Sequence, residues 1–325
     1  MSTPYALRTL VVVNPASAGG STMHRWGHGE HMLHALGIAF DVHVTTAPGS
    51  ATGAVRDALR DGMQRVVAIG GDGTLNEVVN GFFDEHGAPL GAHAALCLVT
   101  SGSGGDFART AHIPRSQARA LRALLSGRTR TIDAGRIDFA DGSLRFFVNV
   151  ADCGVGGEVV ARVNRSRVKG GGMRGSAVFL YQSLATLLQY SGLDVAVTVD
   201  GRLIERRVQS VVVANGRYIG GGMRIAPDAE LDDGLFDVVI VESAGRLKTI
   251  RGVPSLYRGT HVRRPQVEVC RARQVRIDHG STPLLFDVEG EQVGQTGATI
   301  TCLPGALRLC VERNSEPQSA PSLVD

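Results

Sequence analysis

Short runs of apolar, β-branched residues alternate with longer amphipathic stretches through the first part of the chain. The runs are Leu10–Val13, Phe40–Val44, Val66–Ile69 and Ala94–Val99, and helix-compatible stretches fall near 22–36, 51–61, 74–83 and 116–126. Such alternation predicts a parallel sheet with crossover helices. Ligands bind such open sheets beyond the carboxyl ends of the strands, so the loops starting at Asn14, Gly70 and Thr100 are expected to face one crevice. From about residue 131 the texture changes to short strand-like runs: Phe146–Val150, Val195–Val199, Val208–Ala214, Phe236–Val241, Val275–Ile277 and Leu284–Val288. Turn signals between them predict a β-sandwich-like second domain, interrupted by helices around 157–164 and 176–190. The fold class is therefore α/β, with an N-terminal parallel-sheet domain over 1–131 and a C-terminal β-sandwich-like domain over 132–313. The tail 314–325, rich in Ser, Pro and Glu, is expected to be disordered.

Length agrees with two units, since 325 residues exceed the roughly 250–300 at which one core stops growing. The 34 basic and 31 acidic residues leave a formal charge of +3, too small a field to suggest nucleic acid as a partner. Lys169 and Lys248 are the only lysines, and neither sits in a Gly-Lys-Ser/Thr sequence, which excludes a Walker-type phosphate loop. Cys97, Cys153, Cys270, Cys302 and Cys310 are odd in number and free of any Cys-x-x-Cys pair, as expected of reduced thiols in a cytoplasm. No stretch reaches the ~18 apolar residues of a membrane span, so membrane contact is expected to be peripheral.

The strongest local signal runs from Val66 through Gly70-Gly71-Asp72-Gly73-Thr74-Leu75-Asn76-Glu77 to Gly81, where a buried strand breaks into glycines and restarts as a helix. Thr74 and Glu77 have the spacing of a capping box. Without Cβ atoms at Gly70, Gly71 and Gly73 the backbone can approach a phosphate closely, with the helix dipole pointing at it. Asp72 is then placed to hold a magnesium ion or orient a nucleotide. The dinucleotide pattern G-x-G-x-x-G fails because Asn76 stands at the third glycine. The Thr100–Arg109 segment, with Gly102, Ser103 and Asp106, is a second such loop, and Asn14-Pro15 opens a third. Two loops on neighbouring strands can grip one polyphosphate. Plain turns and linkers would also use these residues.

Together, the Asn14-Pro15 loop and the Gly70–Gly81 and Gly102–Arg109 segments resemble the soluble bacterial diacylglycerol kinase family, from about Leu10 to Val311. Sphingosine and ceramide kinases are similar, and NAD kinases and phosphofructokinases are more distant. The resemblance implies an ATP-binding catalytic domain, a β-rich lipid-substrate domain, and a cleft where a lipid hydroxyl meets the γ-phosphate. It makes Asn14, Pro15, Thr46, Gly70, Gly71, Gly73, Thr74, Glu77, Gly102 and Ser103 nucleotide-facing. Asp72, Asp106 and Asp133 match aspartates that organise magnesium near the phosphate. Asp233, with the carbonyls of Glu230 and Leu235, matches a second, structural magnesium loop, although an Asp-Gly hairpin would read the same way. The family's catalytic base is the aspartate of an Asp-Gly-Glu triplet, and Glu289 stands there in Glu289-Gly290-Glu291. Its extra methylene moves the carboxylate by about 1 Å, a displacement that can cost about 10²-fold. Asp287, two residues away on the same strand face, is the substitute candidate. A second departure is Gly105, where many relatives have asparagine.

The expected activity is thus ATP- and Mg2+-dependent phosphorylation of a lipid hydroxyl, on diacylglycerol or a sphingoid base, by a cytoplasmic protein at the membrane surface. A homodimer is left open. Alternatives are a kinase of NAD or another soluble hydroxyl compound, and a silent nucleotide- or lipid-binding regulator. On 176–190, Ala177, Leu180, Tyr181, Leu184, Leu187 and Leu188 share one helical face, suited to core or to a lipid tunnel. Arg165, Arg167 and Lys169 lie in a basic, glycine-rich stretch that could meet anionic headgroups or simply water. His24, His28 and His31 read as a surface face.

Overall fold

A computed structural model describes residues 7–101, 105–165, 186, 189–243 and 245–312. The expectations for Gly102 and Ser103, most of the 176–190 helix, the basic stretch from Arg167 onward and the tail lie outside these residues. The N-terminal strands fall where the apolar runs predict: β1 (Thr9–Val13), β2 (Phe40–Val44), β3 (Arg65–Gly70) and β4 (Ala95–Thr100) pair in parallel in the order β2-β1-β3-β4. Crossing between and after them are α1 (Thr22–Ala35), α2 (Ser50–Arg60), α3 (Asp72–Asn80), α4 (Asp106–Thr110) and α5 (Gln117–Ser126). β1 and β3 are buried on both faces, as helices on both sides of a parallel sheet require. His24, His28 and His31 are exposed on α1.

The second lobe is antiparallel and holds β5 (Thr129–Phe139), β6 (Leu144–Phe147), β7 (Val150–Gly154), β8 (Leu193–Val199), β9 (Arg202–Ala214) and β10 (Phe236–Glu242). It continues with β11 (Val267–Ala272), β12 (Gln274–His279), β13 (Leu285–Val288), β14 (Glu291–Gln295) and β15 (Ala298–Cys310). Among the described residues, α6 (Val155–Arg165) and α7 (Arg246–Arg258) accompany them. The sequence pattern did not suggest α7, because Pro254 and Gly252 interrupt it and its mean hydropathy is low.

β15 joins the lobes. Its first half pairs antiparallel with β12 and β5; after an irregularity between Leu303 and Leu307, its end pairs parallel with β4 while staying on β5. That parallel seat brings Cys310 beside Cys97, and the two form a disulfide across 213 residues, with Cα atoms 4.9 Å apart. This corrects the expectation of five reduced thiols: spacing along the chain could not show that these strands are neighbours. Cys153, Cys270 and Cys302 are free.

A second correction concerns the strand expected over Phe146–Val150. It is two strands, β6 and β7, and the break at Val148-Asn149 turns two amides away from the ladder to a carboxylate described below.

Asn80 ties α3 to this break. Its Nδ2 donates to Phe146 O at 2.9 Å and to Asn76 O at 2.8 Å, while its Oδ1 accepts from Phe146 N at 3.0 Å. All three partners are buried. Asn80→Ala is expected to leave buried backbone groups unpaired and to lower unfolding stability by about 2 kcal/mol, read from the urea midpoint at unchanged slope.

Candidate active site

The three N-terminal loops converge as expected. Asn14 N donates to Ile69 O, and Asn14 Nδ2 donates to Thr74 Oγ1 at 2.9 Å. Ser17, Thr22 and Ser101 form a hydroxyl cluster with oxygens 2.6–3.0 Å apart, locking the first loop to the third. The capping box does not form. α3 begins at Asp72 with Gly71 as its cap, so Thr74 already lies inside the helix and its hydroxyl is taken by Asn14. Glu77 instead accepts from Ala51 N at 3.2 Å, fastening the start of α2. The preceding turn carries Thr46, which is exposed and whose N–H is bonded to Ser50 Oγ.

The glycines differ in purpose. A Cβ on Gly70 would strike the Thr74 side chain, so packing demands glycine there; one on Gly71 would meet nothing, and one on Gly73 would meet only Glu291 Oε1, at 3.7 Å. That open ground before the first amides of α3 is a cradle of the kind phosphate oxygens occupy.

Asp72 stands at the edge of this cradle. Its Oδ2 accepts from Gly105 N at 3.1 Å and Asp106 N at 3.2 Å, which brings the second loop's aspartate beside it. Asp106 is buried, pairs with Arg109 and accepts from Gly221 N of the second lobe at 2.7 Å. Burial, aided by the Asp72 charge, raises its pKa. Gly105 is left-handed at φ 67°, a conformation that glycine and asparagine share, so its departure from the family pattern leaves the turn intact.

Glu289 reaches the same cleft from the other lobe. With Gly290 it forms the two-residue β13–β14 turn, at φ 55° and 92°, both left-handed as a type I′ turn requires. Its Oε1 accepts from Val148 N at 2.8 Å and Asn149 N at 2.7 Å, and its Oε2 from Asn76 Nδ2 at 3.0 Å. Asn76, which breaks the dinucleotide pattern, thus connects the glycine loop's helix to this carboxylate. Burial raises the Glu289 pKa to about 7, with the Asp72 charge a lesser cause.

Asp287 turns elsewhere. It lies across the ladder from Asp152 on β7 and accepts from Gly290 N at 2.8 Å; Asp152 in turn accepts from Ser210 Oγ. Burial raises Asp287 to about 7 and Asp152 to about 6. Both line an apolar cavity of about 240 Å3 walled by α6, β9, β10 and α7, with Val159, Val212, Ile225 and Leu256 among its lining. Sequence reading missed Asp152 and the cavity; the signal was a lone aspartate inside the apolar run Val150–Cys153.

Asp133 is buried away from this cleft's hydrogen bonds. Its carboxylate accepts from Gly234 N and Gly305 N, both at 2.7 Å, clamping the 230–235 loop to the irregularity in β15. In that loop Glu230 is exposed, Asp232 holds Arg130 bidentately, and Asp233 accepts from Leu235 N and pairs with Arg271. Among the described residues no three His, Cys, Asp or Glu side chains gather as a metal site, and no helix is long and apolar enough to cross a membrane.

A parallel nucleotide-type sheet and an antiparallel lobe, meeting at a glycine cradle, two neighbouring aspartates and a half-buried carboxylate, define a phosphotransferase architecture. Residues 8–137 match the diacylglycerol kinase catalytic domain, and residues 149–311 match the YegS C-terminal NAD kinase beta sandwich-like domain. The diacylglycerol kinase of Bacillus subtilis (strain 168) is 28% identical over 288 residues, covering 88% of this chain and 90% of that protein. That of Staphylococcus haemolyticus (strain JCSC1435) is 27% identical over 284 residues, covering 87% and 81%. Among solved structures, a diacylglycerol kinase from Bacillus anthracis str. Sterne superimposes with TM-score 0.69 at 20% identity, covering 96% of this chain and 99% of that one. A further crystal structure from that organism gives TM-score 0.77 at 22% identity, covering 96% and 97%. These superpositions speak to the fold. The chain belongs to the diacylglycerol kinase family and is a lipid kinase.

The buried carboxylates carry a pH signature. Their folded pKa values lie above the unfolded ones, so the stability they contribute is whole below about pH 4 and is lost as pH rises through about 6–7. The urea midpoint is expected to fall between about pH 5 and pH 8. Asp287→Asn, uncharged throughout, is expected to shrink that fall; an unchanged slope against pH would contradict the assignment.

Proposed function

We propose that the chain transfers the γ-phosphate of ATP, with Mg2+, to a hydroxyl of a diacylglycerol-class lipid, acting at the membrane surface with Glu289 as the general base. The observation that carries this reading is the position of Glu289, bonded to the helix of the glycine loop through Asn76 and two residues from the apolar cavity.

The residues suit the cofactors. Gly71 and Gly73 leave the space a polyphosphate needs. Asp72, with Asp106 behind it, supplies the carboxylate side of a magnesium site, since Mg2+ commonly takes one or two carboxylates and completes its shell with phosphate oxygens and water. When bound, Mg-ATP supplies the transferable group and the divalent charge that offsets its oxygens. In the 230–235 loop a cation at Asp233 would have to displace Arg271, so we place the catalytic ion at Asp72 and read Asp133 as an anchor.

Glu289 takes the lipid hydroxyl proton as the new O–P bond forms and the bond to the leaving ADP oxygen breaks. A base near pKa 7 is half-ionised at neutral pH and still basic enough to accept that proton. The two amides hold one carboxylate oxygen in place. Asp287 faces Asp152 and the cavity, so we assign it to the acceptor side. A soluble acceptor such as NAD would leave the apolar cavity without a use.

The test is transfer from labelled ATP to diacylglycerol, a sphingoid base and NAD in mixed micelles. Asp72→Ala and Glu289→Gln are each expected to lower kcat by about 10²–10⁴-fold while unfolding as the parent does, and parent kcat is expected to rise with pH through about 7. Full activity in folded Asp72→Ala, or label entering NAD alone, would overturn the reading.

A further inference from the structure

β9 meets β10 through a bulge. Val241 stands opposite Ser210 but Glu242 opposite Val208, which leaves Gln209 as the extra residue. Bulges re-aim a side chain out of strict alternation. Gln209 lines the apolar cavity beside Ser210, is only 5% exposed, and its Nε2 has no hydrogen-bond partner among the described residues. An unpaired buried amide N–H is costly and uncommon in native proteins, and in a ligand cavity it calls for an acceptor.

Resting on the lipid-kinase reading above, we propose that Gln209 is a specificity residue: its Nε2 donates to an acyl carbonyl oxygen of the acceptor lipid, selecting an O-acylated glycerol over an ether-linked or amine-bearing lipid. The layout fits such a molecule. Gln209 is next to Ser210, Ser210 bonds Asp152, Asp152 faces Asp287, and Asp287 precedes the Glu289 turn. The cavity that holds this carbonyl donor is thus lined also by Asp287, on the strand that ends in the Glu289 turn, as an acylglycerol carries its ester carbonyls a few bonds from its free hydroxyl.

The competing occupant is a long-chain amino alcohol, whose ammonium the two aspartates would attract. Each aspartate, however, already has a donor, Ser210 Oγ for Asp152 and Gly290 N for Asp287. Among the described residues, two buried polar atoms of the cavity lining are unpaired, Gln209 Nε2 and His261 Nδ1; beside Ser210 and the two aspartates the unmet group is the donor on Gln209, which repels an ammonium and suits a carbonyl.

The experiment compares kcat/KM on a 1,2-diacylglycerol, its dialkyl ether with the same chains, and a long-chain amino alcohol, for the parent, Gln209→Met and Gln209→Leu. The two variants keep the bulk and remove the donor, so one can stand in if the other fails to fold. The parent is expected to favour ester over ether by about 10-fold or more, and that ratio is expected to collapse toward one in the variants. Equal parent turnover of ester and ether, an ester preference that survives both substitutions, or preferred phosphorylation of the amino alcohol would overturn the role of Gln209 alone. A parent that phosphorylates no lipid would overturn the lipid-kinase reading and this inference with it.

Discussion

The structure hangs on the pairing of β15 with β5 along nearly its whole length. Ala298 to Leu303 lie on β5 in the second lobe, and Leu307 to Cys310 continue on β5 while entering the parallel sheet beside β4. One strand pair thus belongs to both sheets, so the cleft is framed by continuous backbone hydrogen bonds as well as by side-chain contact. The irregularity at 304–306 lets β15 change sheets, and Asp133 secures it by accepting from Gly305 N. That gives Asp133 a use in this chain: it ties the 230–235 loop to the point where β15 turns toward the parallel sheet.

Across that cleft the lobes exchange polar groups in pairs. Asn76 and Asn80 of α3 reach β6 and Glu289, and Gly221 N reaches Asp106. Buried amides and carboxylates that satisfy one another in this way hold their geometry tightly, because breaking any one strands its partner in a low dielectric. Positioning of this quality is what phosphoryl transfer asks of a protein, since little covalent chemistry falls to its side chains.

How much of this was legible in the sequence follows the range of the interactions. The four parallel strands and the helices between them were readable because local apolar runs and periodicity mark them, and the glycine loop because its backbone need is local too. The convergence of Asn14, Gly70 and Ser101 followed from sheet topology. What stayed hidden depends on residues far apart in the chain. Thr74 and Glu77 have capping-box spacing, yet distant partners at Asn14 and Ala51 claim both side chains. The run Phe146–Val150 reads as one strand, and Glu289, some 140 residues later, takes two of its amides. Cys97 and Cys310 show no relation until β15 returns, and the cavity is assembled from widely separated segments.

The substitution of glutamate for the family's aspartate is the most instructive of these cases. A glutamate at φ 55° occupies backbone space that aspartate and asparagine enter more readily, so the turn carries some strain. Two amides and an asparagine converge on the carboxylate and offset it. The longer side chain lets the carboxylate reach the break between β6 and β7, and that break exists because the amides turn toward it. Two main-chain amides and Asn76 thus fix where the longer carboxylate sits. Burial that raises Glu289 toward neutrality is unfavourable for folding above that pH and useful in a proton acceptor, and a site where stability yields to chemistry in this way is the kind of place where a catalytic base is found.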